Sequence, residues 1–375
     1  MSTQQAEEQL SRHLSFLTQD ENNLTLLIKV SDLYLELNDL EAAQEYLDKA
    51  STIDREACLG HQGLLYLNQG QFTQAKEYFS EALNHVDTPA LRYNLSFTHF
   101  VNSELEDVSK ILSPILNGEL HPEANLLMAR ALHGQGDLDA ALDLVDEVLI
   151  HHQDDSEALG LLALLHFDMD ESELAAEASG RALAINPDNY DAKLIDVMSR
   201  LVTQETSPEE IEELLQINPD DCRLWFALGN VHMSQGNLDL AEHTLKKSVE
   251  IYPEFYDCYI ALGWCLLLND NLEEAFEAYQ TAAEFAGELA DSWGGLALVH
   301  ALREEFSKAE ELMEKAKSLN PNCFLTEIAE TIYFNHKNPL QAKEHLIKAL
   351  KSSNVPIGQK LAFILEDLQT PTQLH

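Results

Sequence analysis

One stretch of the chain, from Leu224 to Pro253, recurs at a fixed interval, and this periodicity constrains the fold more than any other feature. The stretch reads LWFALGNVHMSQGNLDLAEHTLKKSVEIYP, and its pattern returns 34 residues later. The correspondence pairs Trp225 with Tyr259, Leu228 with Leu262, Gly229 with Gly263 and Ala241 with Ala275. Further copies contain Leu159 and Trp293, and weaker ones fill the rest. A repeat of this length predicts an array of identical supersecondary units.

Each unit has the hydrophobic spacing of two helices. Trp225, Leu228, Gly229 and His232 fall at i, i+3, i+4 and i+7, which is one face of a helix. A second helix carries its own apolar face on Leu238, Ala241, Leu245 and Ser248. Gly236-Asn237 separates the two helices, and Pro253 ends the second. A single helix pair cannot bury both faces, so neighbouring units must stack.

The pattern Trp-x2-Leu-Gly-x2-Tyr, followed by Ala-x3-Phe, Ala and Pro, resembles the tetratricopeptide repeat. The resemblance covers about 330 of the 375 residues. It implies an all-α fold, an α-α superhelix in which antiparallel helix pairs form a right-handed solenoid. It also implies a concave groove that binds peptides or proteins. About ten units are placed at 24–55, 56–88, 89–121, 122–155, 156–189, 190–221, 222–255, 256–289, 290–322 and 323–352.

The repeats divide the chain into five predicted segments. A polar N-terminal extension covers 1–23, regular units cover 24–189 and 222–352, and a capping helix with a tail covers 353–375. The unit at 190–221 is irregular, with a long link before Ser207-Pro208-Glu209-Glu210, which restarts a helix with a capping box and Pro at its first position. This unit is either a tolerated irregularity or a hinge between the two arrays.

The charge of the chain limits the class of its partners. The formal net charge is -42, and no Lys or Arg lies between Ala131 and Gly180. This balance argues against nucleic acid and anionic membranes, which need cationic patches. The N-terminus does not have the pattern of a secretory signal, and no apolar run is long enough to span a membrane. Five cysteines without framework spacing indicate reduced thiols, so we expect a cytoplasmic protein.

A second apolar stripe on the first helices, termed here the first-helix stripe, is the candidate binding site. In the family these positions line the groove or its edge, although neighbouring first helices could bury part of the stripe. The stripe consists of Tyr93, Phe97, Phe100, Leu164, Phe167, Leu194, Met198, Phe226, Asn230, Met233, Ile260, Trp264 and Leu267.

The charged residues around the stripe indicate the chemistry of its ligand. The family's carboxylate clamp of Lys, Asn and Arg has one match, Asn230, while its other places hold residues such as Ile28, Asp32, Leu126, Leu164 and Leu194. Acids are instead predicted at the groove rim, at Glu123, Glu157, Asp191, Asp257 and Asp291. We therefore expect a protein or peptide partner that is amphipathic and has basic flanks.

The sequence offers no motif for catalysis, so neither an enzymatic activity nor a cofactor is expected. A P-loop and a zinc-protease HExxH are both absent. The turn with His151, His152, Asp154 and Asp155 reads as solvated rather than metal-binding, and the histidines His99, His166, His232 and His300 read as packing residues.

We predict a protein-interaction scaffold or adaptor. A chaperone for an exported or aggregation-prone client, a spacer whose groove is filled by its own termini, and a metal-dependent switch or enzyme hidden in the array are the alternatives. A homodimer formed through end units is a further option for its assembly.

Overall fold

The computed structural model describes residues 3–201 and 206–337, together with Ala342 and Ile347. Within these residues every regular element is helical. The all-α repeat of helix pairs predicted from the sequence is therefore confirmed. The chain divides into two compact units between Ala192 and Lys193.

The first unit contains eleven complete α-helices and one short 3-10 helix, Ser113–Ile115, after α7. The α-helices are α1 Thr3–Leu17, α2 Leu24–Glu36, α3 Leu40–Ile53, α4 Arg55–Asn68, α5 Phe72–His85, α6 Pro89–Val101, α7 Leu105–Leu112, α8 Pro122–Gly134, α9 Leu138–His151, α10 Ser156–Asp168 and α11 Ser172–Ile185. Helix α12, Tyr190–Arg200, crosses the division between the units.

The second unit continues the same order of paired helices. They are α13 Pro208–Ile217, α14 Cys222–Ser234, α15 Leu238–Ile251, α16 Tyr256–Leu268, α17 Leu272–Phe285, α18 Ala290–Leu302, α19 Phe306–Leu319 and α20 Phe324–Lys337. The predicted capping helix at 353–375 lies outside the described residues, as does most of the stretch after α20.

Within each of the two compact units, successive helices pack in one repeating order. A first helix such as α14 contacts its own second helix α15, and α15 then contacts the next first helix, α16. Successive first helices also touch, as α14 and α16 do. This stacking covers both apolar faces of each pair, and it sets the first helices side by side. The first-helix stripe lies on this row.

In eight of the repeat units, the turn between the two helices contains a residue with a left-handed backbone. Glycine adopts this backbone at no steric cost, while Asn and Asp tolerate it better than other residues. The residues with φ between 59° and 80° are Asn38, Gly70, Ser103, Gly136, Asp170, Gly236, Asp270 and Glu304. One such residue follows the first helix of eight units, so the turn repeats even where glycine is replaced.

The two helices of a pair approach closely because the first helix carries a glycine opposite a large residue of the second. A Cβ atom added to Gly63 would lie 2.5 Å from Cε1 of Phe79, and one added to Gly263 would lie 2.7 Å from Cζ of Tyr279. At Gly229 the distance to Cγ of Leu245 is 2.6 Å. These distances leave no room for a side chain, so glycine at these positions allows the two helices to approach closely.

The irregular unit has the shortest helices of its surroundings. Helix α12 has 11 residues and α13 has 10, whereas α14 has 13 and α15 has 14. The predicted capping box is present, since the Ser207 hydroxyl accepts from the Glu210 amide at 3.4 Å and the Glu210 carboxylate accepts from the Ser207 amide at 3.0 Å. The hinge at 190–221 stays a prediction.

Candidate functional site

In the compact unit that begins at Lys193, five members of the first-helix stripe pack against one hydrophobic core. Phe226, Met233, Ile260, Trp264 and Leu267 are half-buried and pack against its buried residues. Each of these side chains therefore presents part of its surface to solvent and part to the core. These side chains therefore pack against the core and remain partly exposed, and their role in binding stays a prediction.

Aromatic contacts hold two of these residues in place. The ring of Phe226 lies 5.1 Å from that of Phe255, and the ring of Trp264 meets Phe324 of α20 edge-on at 5.9 Å. Edge-on and tilted pairs are favourable arrangements for aromatic rings. Asn230, between the aromatic positions, donates its side-chain N–H to the Phe226 carbonyl at 2.9 Å. The stripe is thus a fixed surface on α14 and α16.

In the first unit the stripe is divided between half-buried and buried positions. Tyr93 and Phe97 stack at 6.5 Å, and with Phe100 they are half-buried against the core of α7 and α8. Burial raises the pKa of the Tyr93 phenol. Phe167 is also half-buried, but Leu164 is only 4% exposed and so belongs to the core.

On α12 the stripe shows the same division. Leu194 is fully buried at 0% exposure, whereas Met198 is half-buried. Leu164 and Leu194 therefore present almost no surface to a ligand in this structure. The binding role of the eleven remaining positions stays a prediction.

One arginine on α8, which the repeat pattern does not single out, connects acidic side chains of two other helices. Arg130 donates to the Asp191 carboxylate at 2.6 Å and lies 3.7 Å from Glu157, so it joins α8, α10 and the start of α12. Asp191 is 7% exposed. Its predicted place on the groove rim is therefore wrong, because a buried carboxylate paired with arginine is a structural contact. Glu123, Glu157 and Asp257 are exposed.

The recurrent histidines make a repeated contact with glutamate. In three units the histidine Nδ1 faces a carboxylate five residues later, at 2.5 Å from Glu104, 2.6 Å from Glu171 and 2.8 Å from Glu305. Each glutamate precedes a second helix but makes no side-chain cap to it. A His followed by Glu at i+5 was visible in the sequence, and it marks a structural pair in His99, His166 and His300.

One group in the described part of the chain has the composition of a metal site. His99, Glu104 and Asp107 place their ligand atoms within 4.8 Å of one another. However, Lys76 donates to Glu104 at 2.6 Å, and Lys110 donates to Asp107 at 2.9 Å. Because both carboxylates already hold a cation, this group is a network of ion pairs. The turn at His151 and His152 joins no such group among the residues described.

The cysteines have the properties of packed thiols. All five are free, and Cys58, Cys258, Cys265 and Cys323 are buried. Burial raises the pKa of Cys258 to about 12, and those of Cys265 and Cys323 to about 11. Since the thiolate is the reactive form, these side chains are poor nucleophiles near neutral pH.

The paired helices, glycine contacts and stacked first helices define a helical-repeat protein. Profiles of the tetratricopeptide repeat match residues 24–56, 57–84, 117–165 and 226–290. The chain belongs to the tetratricopeptide repeat family. Repeats of this family generally mediate protein–protein interaction.

Relatives share parts of this array. Protein O-mannosyl-transferase TMTC3 of Homo sapiens is 31% identical over 111 residues, which cover 27% of this chain and 12% of that protein. BBSome complex member BBS4 of Bos taurus is 22% identical over 252 residues, covering 57% of this chain and 48% of that protein. The chain thus spans less than half the length of these two curated relatives.

Among solved structures, the human IFIT1 dimer with PPP-AAAA aligns with a TM-score of 0.47 at 14% identity. The alignment covers 92% of this chain and 91% of that one. Separately, none of the helices in the described residues combines the length and the apolar character that a bilayer crossing requires.

Proposed function

We propose that this protein is a non-catalytic scaffold that binds an amphipathic segment of a partner protein along the first-helix stripe between Phe226 and Leu267. The observation that supports this most directly is the half-buried surface of Phe226, Ile260 and Trp264, which lies on adjacent first helices. Large aromatic side chains of this kind dominate binding energies at protein interfaces.

The partner's chemistry follows from the charge around the stripe. An apolar floor favours apolar anchors, and the exposed Asp257 and the net charge of -42 favour Lys or Arg beside them. A scaffold role also agrees with the description of the relative BBS4 as a member of a complex.

The test is a peptide selection followed by a binding measurement. A displayed library of random peptides is selected on the full chain, and a labelled peptide is titrated by fluorescence polarisation. The double variant Phe226→Glu, Trp264→Glu should bind at least about 30-fold more weakly, the loss expected for two anchors worth about 2 kcal/mol together.

The control is Leu240→Glu, which makes the same chemical change at a side chain of α15 that is 51% exposed. It should bind as the wild type does. Thermal melts establish that all variants fold, and Trp264→Leu provides a milder change if the double variant melts early. Equal binding by wild type and folded stripe variants would overturn the proposal.

A further inference from the structure

A cleft at the N-terminal end of the array lies between two first helices and differs in chemistry from the apolar stripe. Its volume is about 320 Å³. Ligand pockets span about 300–1,000 Å³, so this cleft is at the small end of that range and has room for a long side chain. It is lined by Asp32, Leu35 and Glu36 of α2 and by His61, Leu64 and Asn68 of α4.

The carboxylates of the cleft offer hydrogen-bond acceptors. Asp32 and Glu36 stand one turn apart on α2, so both carboxylates face the same side. His61 Nδ1 lies 2.8 Å from one oxygen of Asp32 and must donate, because an ionised carboxylate only accepts. The second Asp32 oxygen has no hydrogen bond of its own among the described contacts.

Asn68 adds a further acceptor. Its amide nitrogen donates to the Leu64 carbonyl at 2.8 Å, which leaves the amide oxygen for a ligand. The half-buried Leu35 and Leu64 supply apolar walls between these polar groups. A cleft with apolar walls and acceptors at its mouth suits a long aliphatic chain that ends in a cation.

We propose that this cleft receives a Lys or Arg side chain of the partner segment. The side chain's methylenes lie against Leu35 and Leu64, and its cationic head donates to Asp32, Glu36 and the Asn68 oxygen. No Lys or Arg lines the cleft, so an anionic end group is repelled there. The inference rests on the proposed function, because it gives the partner's basic flank a binding site separate from the stripe.

The test uses short probe peptides and the full chain. Acetyl-Ala-Leu-Lys-Leu-Ala-amide is compared with the same peptide carrying Arg or norleucine at the central position, by saturation-transfer NMR titration. Norleucine keeps the aliphatic stem and lacks the charge. We expect the Lys or the Arg peptide to bind at least tenfold more tightly than the norleucine peptide.

Matched variants measure how much the two carboxylates contribute to binding of the charged peptides. Asp32→Asn with Glu36→Gln keeps the shape of the cleft, and it should remove the tenfold preference while norleucine-peptide binding is unchanged. Glu77→Gln, at an exposed carboxylate of α5, should preserve the preference. A thermal melt of each variant establishes that it is folded. If the double variant melts early, Glu36→Gln alone replaces it.

The outcomes separate this inference from the proposed function. Equal binding of the charged and norleucine peptides would overturn the proposed role of the cleft. A preference for the charged peptides that persists in the variant with both Asp32→Asn and Glu36→Gln would do the same. Competition by Ca²⁺ or Mg²⁺ at submillimolar concentration would overturn it too, because the cleft would then be a metal site. Since Phe226→Glu, Trp264→Glu leaves the cleft intact, loss of the stripe's role would not alter the Lys-peptide result.

Discussion

Tyr279 of α17 lies between two glycines, and its position shows how tightly the second unit is packed. The side chain is fully buried. Gly263 of α16 lies on one side of the ring, and Gly295 of α18 lies on the other, so that a Cβ atom added to either glycine would collide with it. One aromatic ring therefore sets the spacing of two successive first helices.

We predict that Gly295→Ala destabilises the protein by about 1–3 kcal/mol, because the added methyl group must displace the Tyr279 ring in a packed core. Gly180→Ala is the control. Gly180 lies inside α11, and a Cβ atom added there would meet no neighbouring group, so alanine should stabilise the helix by about 1 kcal/mol.

Chemical denaturation of both variants measures these changes. Opposite signs for the two substitutions would confirm that the contact with Tyr279, and not glycine's flexibility, determines the residue at position 295. A gain of stability in Gly295→Ala would contradict the prediction.

At the level of residues, local spacing predicted some contacts and not others. The pairing of the helix that carries Gly229 with the helix that carries Leu245 followed from the repeat pattern, because both helices lie within one repeat unit. The pair of Arg130 and Asp191 did not follow, since it joins residues 61 apart on two different helices, α8 and α12. A polar contact across several units depends on how the units stack, and the spacing within one unit does not contain that information.

At the level of elements, α13 depends on its N-terminal capping box. Ser207 and Glu210 satisfy each other's backbone amides in the first turn, where a helix otherwise leaves donors unpaired. The hydrogen bond from the Ser207 amide, with the nearby Arg200 guanidinium, lowers the pKa of the Glu210 carboxyl. The capping-box contribution therefore depends on the ionised carboxylate.

We predict that the stability difference between wild type and Glu210→Ala is largest near neutral pH and shrinks in acid. Because the folded pKa is below the unfolded value of about 4.3, the stabilisation is present above that value and is lost as pH falls through the folded pKa.

Thermal melts from pH 7 to pH 3 measure this difference. Glu213→Ala, an exposed change on the same helix and outside the capping box, controls for helix propensity and net charge. A wild-type advantage over Glu210→Ala that stays constant across this range would show that the charge of the carboxylate does not matter.

The helices themselves were the most predictable part of the molecule. The 34-residue period located the pairs, and the capping box located the start of α13, because both are local signals in the sequence. The first-helix stripe was predicted less completely. Spacing identified its face of each helix, but burial of Leu164 and Leu194 depends on the bulk of neighbouring side chains, which no single helix pattern records.

At the level of the whole molecule, the excess of negative charge acts on stability as well as on partner choice. Between Ala131 and Gly180 the chain has no Lys or Arg to balance its acids. Asp139 and Asp143 are exposed at i and i+4 on α9, and Glu173 and Glu177 are exposed at the same spacing on α11. Like charges one turn apart on a helix repel each other.

We predict that Asp143→Lys stabilises the protein at low salt. The change replaces the repulsion from Asp139 with an attraction of about 0.2–0.5 kcal/mol and lowers the charge of the surface. Salt screens interactions between exposed charges, with a Debye length of about 30 Å at 0.01 M and about 3 Å at 1 M. The gain should therefore be clear at the lower concentration and small at the higher one.

Thermal melts of both proteins at these two salt concentrations give the measurement, and Asp143→Asn separates loss of repulsion from gain of attraction. The wild type itself should melt at a higher temperature in salt, because screening weakens its self-repulsion. A gain from Asp143→Lys that is equal at both concentrations would mean that helix propensity, rather than the charge of the molecule, is the cause. In that case the acidic surface would not affect the free energy of unfolding, and partner binding would be its remaining physical role.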